Sequence, residues 1–233
     1  MEPISNRILY ADNHLLIVNK LPGEIVQGDK TGDEPLVESL KAYLKEKYKK
    51  PGAVFLGVVH RIDRPVSGVV VFARTSKALA RMNAMMQKRE VRKVYWAVSG
   101  QRSAVGGRES IHLIHFLKRN EQQNKSYAYD HPGEGRQKAE LICRVIAQGD
   151  RYDLLEIELL TGRHHQIRAQ LAAIGRTIKG DLKYGAPRSN PDGSISLHSR
   201  LVEFVHPVSK GKICITAPLP DEKLWKALES RYR

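Results

Sequence analysis

The apolar positions change rhythm along the chain, and each rhythm predicts an element. ILYADNHLLIVNKLPG holds two short apolar stretches split by Asp12-Asn13, the pattern of a hairpin. In PLVESLKAYLKEKY, Leu36, Leu40, Tyr43 and Leu44 recur at steps of three and four. That spacing predicts an amphipathic helix with Pro35 at its first position. Residues 54 to 74 read as strand, charged loop, strand. TSKALARMNAMMQKRE predicts a second helix, capped by Thr75 or Ser76, with Leu79, Met82 and Met86 on its core-facing side. From Lys93 the period shortens: KVYWAVSG, SIHLIHFLKR, KAELICRVIA and YDLLEIELL read as strands in antiparallel succession. RHHQIRAQLAAIG reads as a short helix ending at Gly175, with Ile167, Leu171 and Ile174 inward and the two histidines on different sides. KYGAPRSNPDGSIS is loop, and the chain closes with two strands and a helix over DEKLWKALESRYR. Strands outnumbering a few helices imply an α+β fold with a mixed, mainly antiparallel central sheet flanked by helices and loops. No repeat or linker interrupts the pattern, so residues 1–233 are expected to form a single domain.

One loop stands out. HRIDRPVSG, residues 60–68, lies between FLGVV and VVVFAR and carries a histidine, two arginines and one carboxylate. Arg61 and Arg64 beside Asp63 favour its charged form. An ionised aspartate in a cleft serves as nucleophile or general base; a turn aspartate also caps backbone N–H groups. The residues by themselves leave both readings open. In RKVYWAVSG, Tyr95 and Ala97 face one way and Val94 and Trp96 the other, which suits a packed aromatic. Arg168 shares a helix face with His164 and Leu171, bordering the apolar stripe. It must meet a carboxylate or leave the core, and a loop aspartate is one solution.

Charge narrows the partners. Lys and Arg number 39 against 25 Asp and Glu, a net +14 over 233 residues, which suits a polyanion. Nucleic acid leads and an acidic membrane surface follows. Basic residues crowd Arg81–Lys93, beside Tyr95, and Lys45–Lys50. Cys143 and Cys214 each sit in apolar context and read as small buried hydrophobes. With no secretory leader pattern and no run long enough to span a bilayer, a cytoplasmic protein is expected. The histidines lack metal-ligand spacing and no phosphate-binding glycine motif occurs, so metal and nucleotide cofactors are not expected.

Four stretches together resemble one family. HRIDRPVSGVVVFAR is similar to the HRLDxxTSG signature of the RluA-type RNA pseudouridine synthases, and KVYWAVSG to their K-x-Y strand. TGRHHQIRAQLAAIGRTIKGDLKYG resembles their G-R-x-H-Q-I/L-R segment followed by G-D-x-x-Y-G. SLHSRLVEFVHP resembles their L-H-A-x-x-L-x-F-x-H-P stretch. The resemblance implies the pseudouridine synthase fold with a central cleft, and an enzyme that detaches uracil from C1′ of a uridine, turns it, and rejoins it through C5 without cofactor. Asp63 is then the catalytic aspartate, by attack on ring or sugar or by proton abstraction at C2′. Tyr95 stacks on the flipped base, Arg168 pairs with Asp63, Leu197 packs against the base, and Arg61 displaces the nucleotide from its stack. Arg64 and His60 are the further substrate-binding residues of the loop.

Val66 stands where the family usually has Thr, and Ser199 where it often has Ala. No room is left for the S4-like RNA-binding domain of many relatives, so RNA recognition is expected to rest on the catalytic domain's own basic surface. The expected substrate is a stem-loop of rRNA or tRNA, and the expected state a monomer with no obligate protein partner. Two other readings are a non-catalytic basic RNA-binding protein and a histidine-dependent metallohydrolase. The joint presence of Asp63, Tyr95 and Arg168 argues against the first.

Overall fold

The computed structural model describes residues 3–29, 31–100 and 110–232. A 3-10 turn over Ile4–Arg7 leads into strands β1 (Ile8–Ala11) and β2 (Leu15–Lys20), followed by helix α1 (Leu36–Lys47). Next come β3 (Gly57–Val58), β4 (Ser67–Ala73), α2 (Ser76–Gln87) and β5 (Arg92–Gly100). A meander of β6 (Ile111–Asn120), β7 (Lys125–Tyr129), β8 (Gln137–Gln148) and β9 (Tyr152–Leu159) precedes α3 (Gln166–Ala173). The chain finishes with β10 (Leu197–Val205), β11 (Lys212–Thr216) and α4 (Lys223–Glu229). This is the α+β architecture with a mainly antiparallel sheet that the sequence pattern predicts.

The chain divides into two compact units, one of Met1–Val91 with Ser199–Pro218, the other of Arg92–His198 with Leu219–Arg233. In the first, the strand order is β1-β2-β4-β10, with β3 paired to β4 and β11 to β10. Leu15, Ile17, Val69, Val71, Val202 and Phe204 form its core, with Met82 of α2 wholly buried among them. All seven β4 residues are buried, as the unbroken apolar run SGVVVFA suggests. Thr75 caps α2, its hydroxyl accepting from Ala78 N at 3.1 Å. Pro35 sits one position earlier than the spacing predicts, as the extended residue capping α1 (φ −77°, ψ 148°).

In the second unit the order is β5-β9-β8-β6-β7, antiparallel throughout. One face of this sheet packs Leu117 and Ala139 against Ala169 of α3 and against Tyr184. The strand expected before the charged loop is present as β3 but is only two residues long, and β7, KSYAY, escapes periodicity because it follows a polar turn too closely to read as a separate strand. Cys214 corrects an expectation as well: it is exposed on β11, whose alternating pattern follows from a strand with one solvated face, whereas Cys143 is buried.

Gly68 fixes the exit of the charged loop. Its φ is +111°, and a Cβ there would lie 2.3 Å from the carbonyl oxygen and 2.7 Å from the nitrogen of Ser199. Only a residue without a side chain permits both that backbone and that approach. Gly68→Ala is expected to cost roughly 3 kcal/mol or more of unfolding free energy in urea, since strain and backbone clash combine. Gly185→Ala, with φ +97° but open space around it, should cost about 1–2 kcal/mol, from strain alone.

Candidate active site

In the first unit the loop between β3 and β4 is anchored at several points. Ile62 and Val66 are buried, so the two apolar residues flanking Asp63-Arg64-Pro65 pin the turn to the core. Val66 N donates to the Asp63 carbonyl at 3.0 Å, closing the turn around Pro65. His60 Nε2 accepts from Val71 N at 3.2 Å, which ties the loop's entry to β4. Asp63 is half-buried, and Arg61 and Arg64 are exposed. The Arg64 guanidinium reaches Asp33 at 2.6 Å, a carboxylate that local sequence did not offer as its partner.

Lys20, whose role the sequence did not disclose, lies beneath this loop. It is 0% exposed, and its ammonium donates to the Leu21 carbonyl at 2.8 Å and to the Arg64 carbonyl at 3.1 Å. Gly23 N donates to the same Arg64 carbonyl at 2.9 Å. Burial pushes the Lys20 pKa down to about 7; Glu24 and Asp63 pull it upward and Arg64 and Arg7 depress it further. Glu24 is itself held by Arg7 Nη1 and by Leu21 N. The signal was a lysine closing an apolar run, just before Leu-Pro-Gly.

The second unit holds Tyr95, Arg168 and Leu197, all buried. Tyr95 pairs in register with Ile157 across β5 and β9. Leu197 opens β10. Two positions before Tyr95, burial holds Lys93 below the usual lysine range. Arg168 makes a two-pronged ion pair, Nε to Asp181 Oδ2 at 2.7 Å and Nη2 to Asp181 Oδ1 at 2.8 Å. The sequence singled out Arg168 but not Asp181, whose signal was the aspartate of GDLKYG.

His165 completes this arrangement. Its Nε2 lies 3.0 Å from Arg168 Nη1 and its Nδ1 lies 3.1 Å from Tyr184 Oη. A guanidinium only donates, so Nε2 must be the bare nitrogen and Nδ1 must carry the proton. Tyr184 Oη accepts from Ser126 N at 2.9 Å and donates to Ser126 O at 3.1 Å. Burial, then Arg168 and His164, drive the His165 pKa down to about 2. The two histidines do not point to opposite sides of a helix. Both precede α3, His165 in the left-handed conformation at φ 52°, and their rings stack with centroids 3.9 Å apart.

The family model for RNA pseudouridylate synthase matches residues 14–173, and the chain belongs to this family. It is an RNA pseudouridine synthase of the RluA type, an isomerase class acting on RNA. Among curated relatives, the ribosomal large subunit pseudouridine synthase C of Vibrio cholerae is 31% identical, over 91% of this chain and 65% of its own. The ribosomal large subunit pseudouridine synthase D of Zymomonas mobilis is 29% identical, over 95% of this chain and 71% of its own. An RNA pseudouridine synthase of Synechocystis is 30% identical, over 96% and 69%. The chain thus spans 65% to 71% of the length of these relatives. Human RNA pseudouridylate synthase domain containing 4 shares the fold at a TM-score of 0.77 and 21% identity, over 99% of this chain and 94% of that one.

The His165 arrangement carries a pH consequence. Its folded pKa of about 2 lies below the ordinary 6.5, so on acidification the unfolded chain binds a proton that the folded protein refuses. Stability is therefore complete above pH 6.5 and falls as pH drops toward 2. His165→Asn, which tolerates the left-handed backbone, should flatten that fall by up to about 1.4 kcal/mol per pH unit. Urea unfolding between pH 7.5 and 4 measures it, and an unchanged acid slope refutes the assignment.

Proposed function

We propose that this protein converts uridine to pseudouridine in a stem-loop of rRNA or tRNA, with Asp63 as its catalytic aspartate. The observation that carries the reading is the held loop. Strand β4, the buried Ile62 and Val66, and the doubly bonded Arg64 carbonyl fix the backbone of the half-buried Asp63. That rigidity suits a group that must meet one atom of a flipped nucleotide. Arg168, itself oriented by Asp181 and His165, is the cation read as the partner of Asp63. Tyr95 stacks on the flipped base and takes part in removing the C5 proton, and Leu197 packs against the base. Arg61 displaces the nucleotide from its stack, while Arg64 and His60 complete substrate binding. The bond from C1′ to N1 breaks, the uracil turns, and C1′ bonds C5. The proton lost from C5 is balanced by the one N1 gains, so no cofactor enters the scheme.

The excess of cations, +14, supports RNA recognition through the domain's own surface. The protein is read as a cytoplasmic monomer; among the described residues no helix is long and apolar enough to cross a membrane.

Asp63→Asn is expected to bind RNA within about threefold of the native protein, yet to lose at least about a thousandfold in turnover. Tritium release from RNA carrying C5-tritiated uridine, in buffer with EDTA, measures the turnover. Normal release by the variant would overturn the role of Asp63.

RNA affinity should fall at least tenfold between 50 and 200 mM salt, because several phosphates release their counterions on binding. An affinity flat over that range removes the basic surface from the account.

A further inference from the structure

Strands β8, β6 and β7 have a second face, turned away from α3. Phe116 lies opposite Tyr129 and Lys118 opposite Tyr127 across β6 and β7. On the other side of β6, Ile114 is opposite Glu140 and Phe116 opposite Lys138. Alternation therefore places Ile114, Phe116, Lys118, Tyr127, Tyr129 and Lys138 on one surface. Leu117, Ala128 and Ala139 take the opposite one, against Ala169 of α3.

This surface is open. Ile114 is 44% exposed, Tyr127 38% and Tyr129 36%. Cations interleave with the rings: Arg136 Cζ stands 3.7 Å from the Tyr129 ring centre, and Lys125 Nζ, at the start of β7, lies 5.3 Å from that of Tyr127 and 5.0 Å from that of Tyr184 on the α3 side. The carboxylate on this face, Glu140, is already engaged by Lys138 at 2.9 Å and by His112 at 3.4 Å. Its charge therefore does little to offset Lys118, Lys125 and Arg136. An apolar protein partner would bury those cations without neutralising them. Unpaired RNA supplies both what the rings and what the cations require, bases to stack and phosphates to pair.

We propose that this outer face of β6 and β7 binds an unpaired RNA segment, bases stacking on Tyr127 and Tyr129 and phosphates held by Lys118, Lys125 and Arg136. The proposal extends the RNA reading above and assigns a surface that none of the catalytic residues occupies.

Fluorescence anisotropy with a short labelled oligouridine tests it, each variant first being shown folded by its thermal midpoint. Tyr127→Ala/Tyr129→Ala should weaken binding about tenfold or more, while Tyr127→Phe/Tyr129→Phe, which keeps the rings, stays within about twofold of native. Lys118→Gln/Lys125→Gln, at the surface, should reduce the slope of log affinity against log salt by about 1.4, two phosphate contacts on a single strand. Unchanged affinity in the alanine variant, or an unchanged slope in the glutamine variant, overturns the proposal. Equal losses in the alanine and phenylalanine variants overturn stacking. If native protein binds oligouridine in this way but releases no tritium from uridine-containing RNA, the catalytic reading fails and this surface stands.

Discussion

A guanidinium cannot shed its proton, so an arginine buried as deeply as Arg168 obliges its surroundings to answer its charge. The answer is a network of groups drawn from both ends of α3. Asp181 supplies two oxygens from a turn after α3, His165 supplies a bare nitrogen from before it, and the Tyr184 ring lies 5.1 Å from the guanidinium carbon. Because His165 must accept, its tautomer is fixed, and because it must reach back, its backbone turns left-handed. Tyr184 then carries the constraint onward to Ser126 on β7. A helix that is short, and whose first residue lacks a side-chain cap, is held in place by the cation it carries.

The first unit answers the same problem with different chemistry. Lys20 is buried at least as completely, but it meets carbonyl dipoles, Leu21 and Arg64, more closely than any carboxylate. An ammonium so placed can give up its proton near neutrality, which an arginine cannot do. Lys20 and Arg168 therefore have separate tasks. Arg168 is a permanent charge, while Lys20 works as a hydrogen-bond donor that keeps one peptide of the HRIDRPVSG loop in position whether or not it is ionised.

Much of this was legible in the sequence. The helices over residues 36–47 and 76–87 followed from three- and four-residue spacing, and the strands on either side of the charged loop from their uninterrupted apolar runs. Asp63 and Arg168 stood out because a carboxylate between two arginines and an arginine on an apolar stripe are both locally anomalous, whereas the roles expected of Tyr95 and Leu197 came only with the family resemblance. The partners were harder to find. Asp181 lies thirteen positions from Arg168, Asp33 thirty-one from Arg64, and Lys20 forty-four from the carbonyl it holds. Nothing in local spacing encodes such pairings, which exist only once strands and turns have been assembled. His165 misled for a related reason: helical periodicity extended one turn too far, past a residue whose backbone had already left the helix.

The boundary between the two units crosses the chain three times, after residues 91, 198 and 218, so neither unit is continuous in sequence. In the first unit, β11 and all of β10 but its first two residues come from after residue 198, and the stretch from Arg92 to His198 belongs to the other unit. On a ribosome adding 5–20 residues per second, roughly ten seconds separate the emergence of β4 from that of the strand that closes against Gly68. During that interval the run SGVVVFA has no β10 beside it, whereas the meander of the second unit is made from one continuous stretch. The loop that bears Asp63 thus waits for β10, while the arginine-bearing unit waits longer still for α4, whose Trp225 is buried and which follows β11 in the chain.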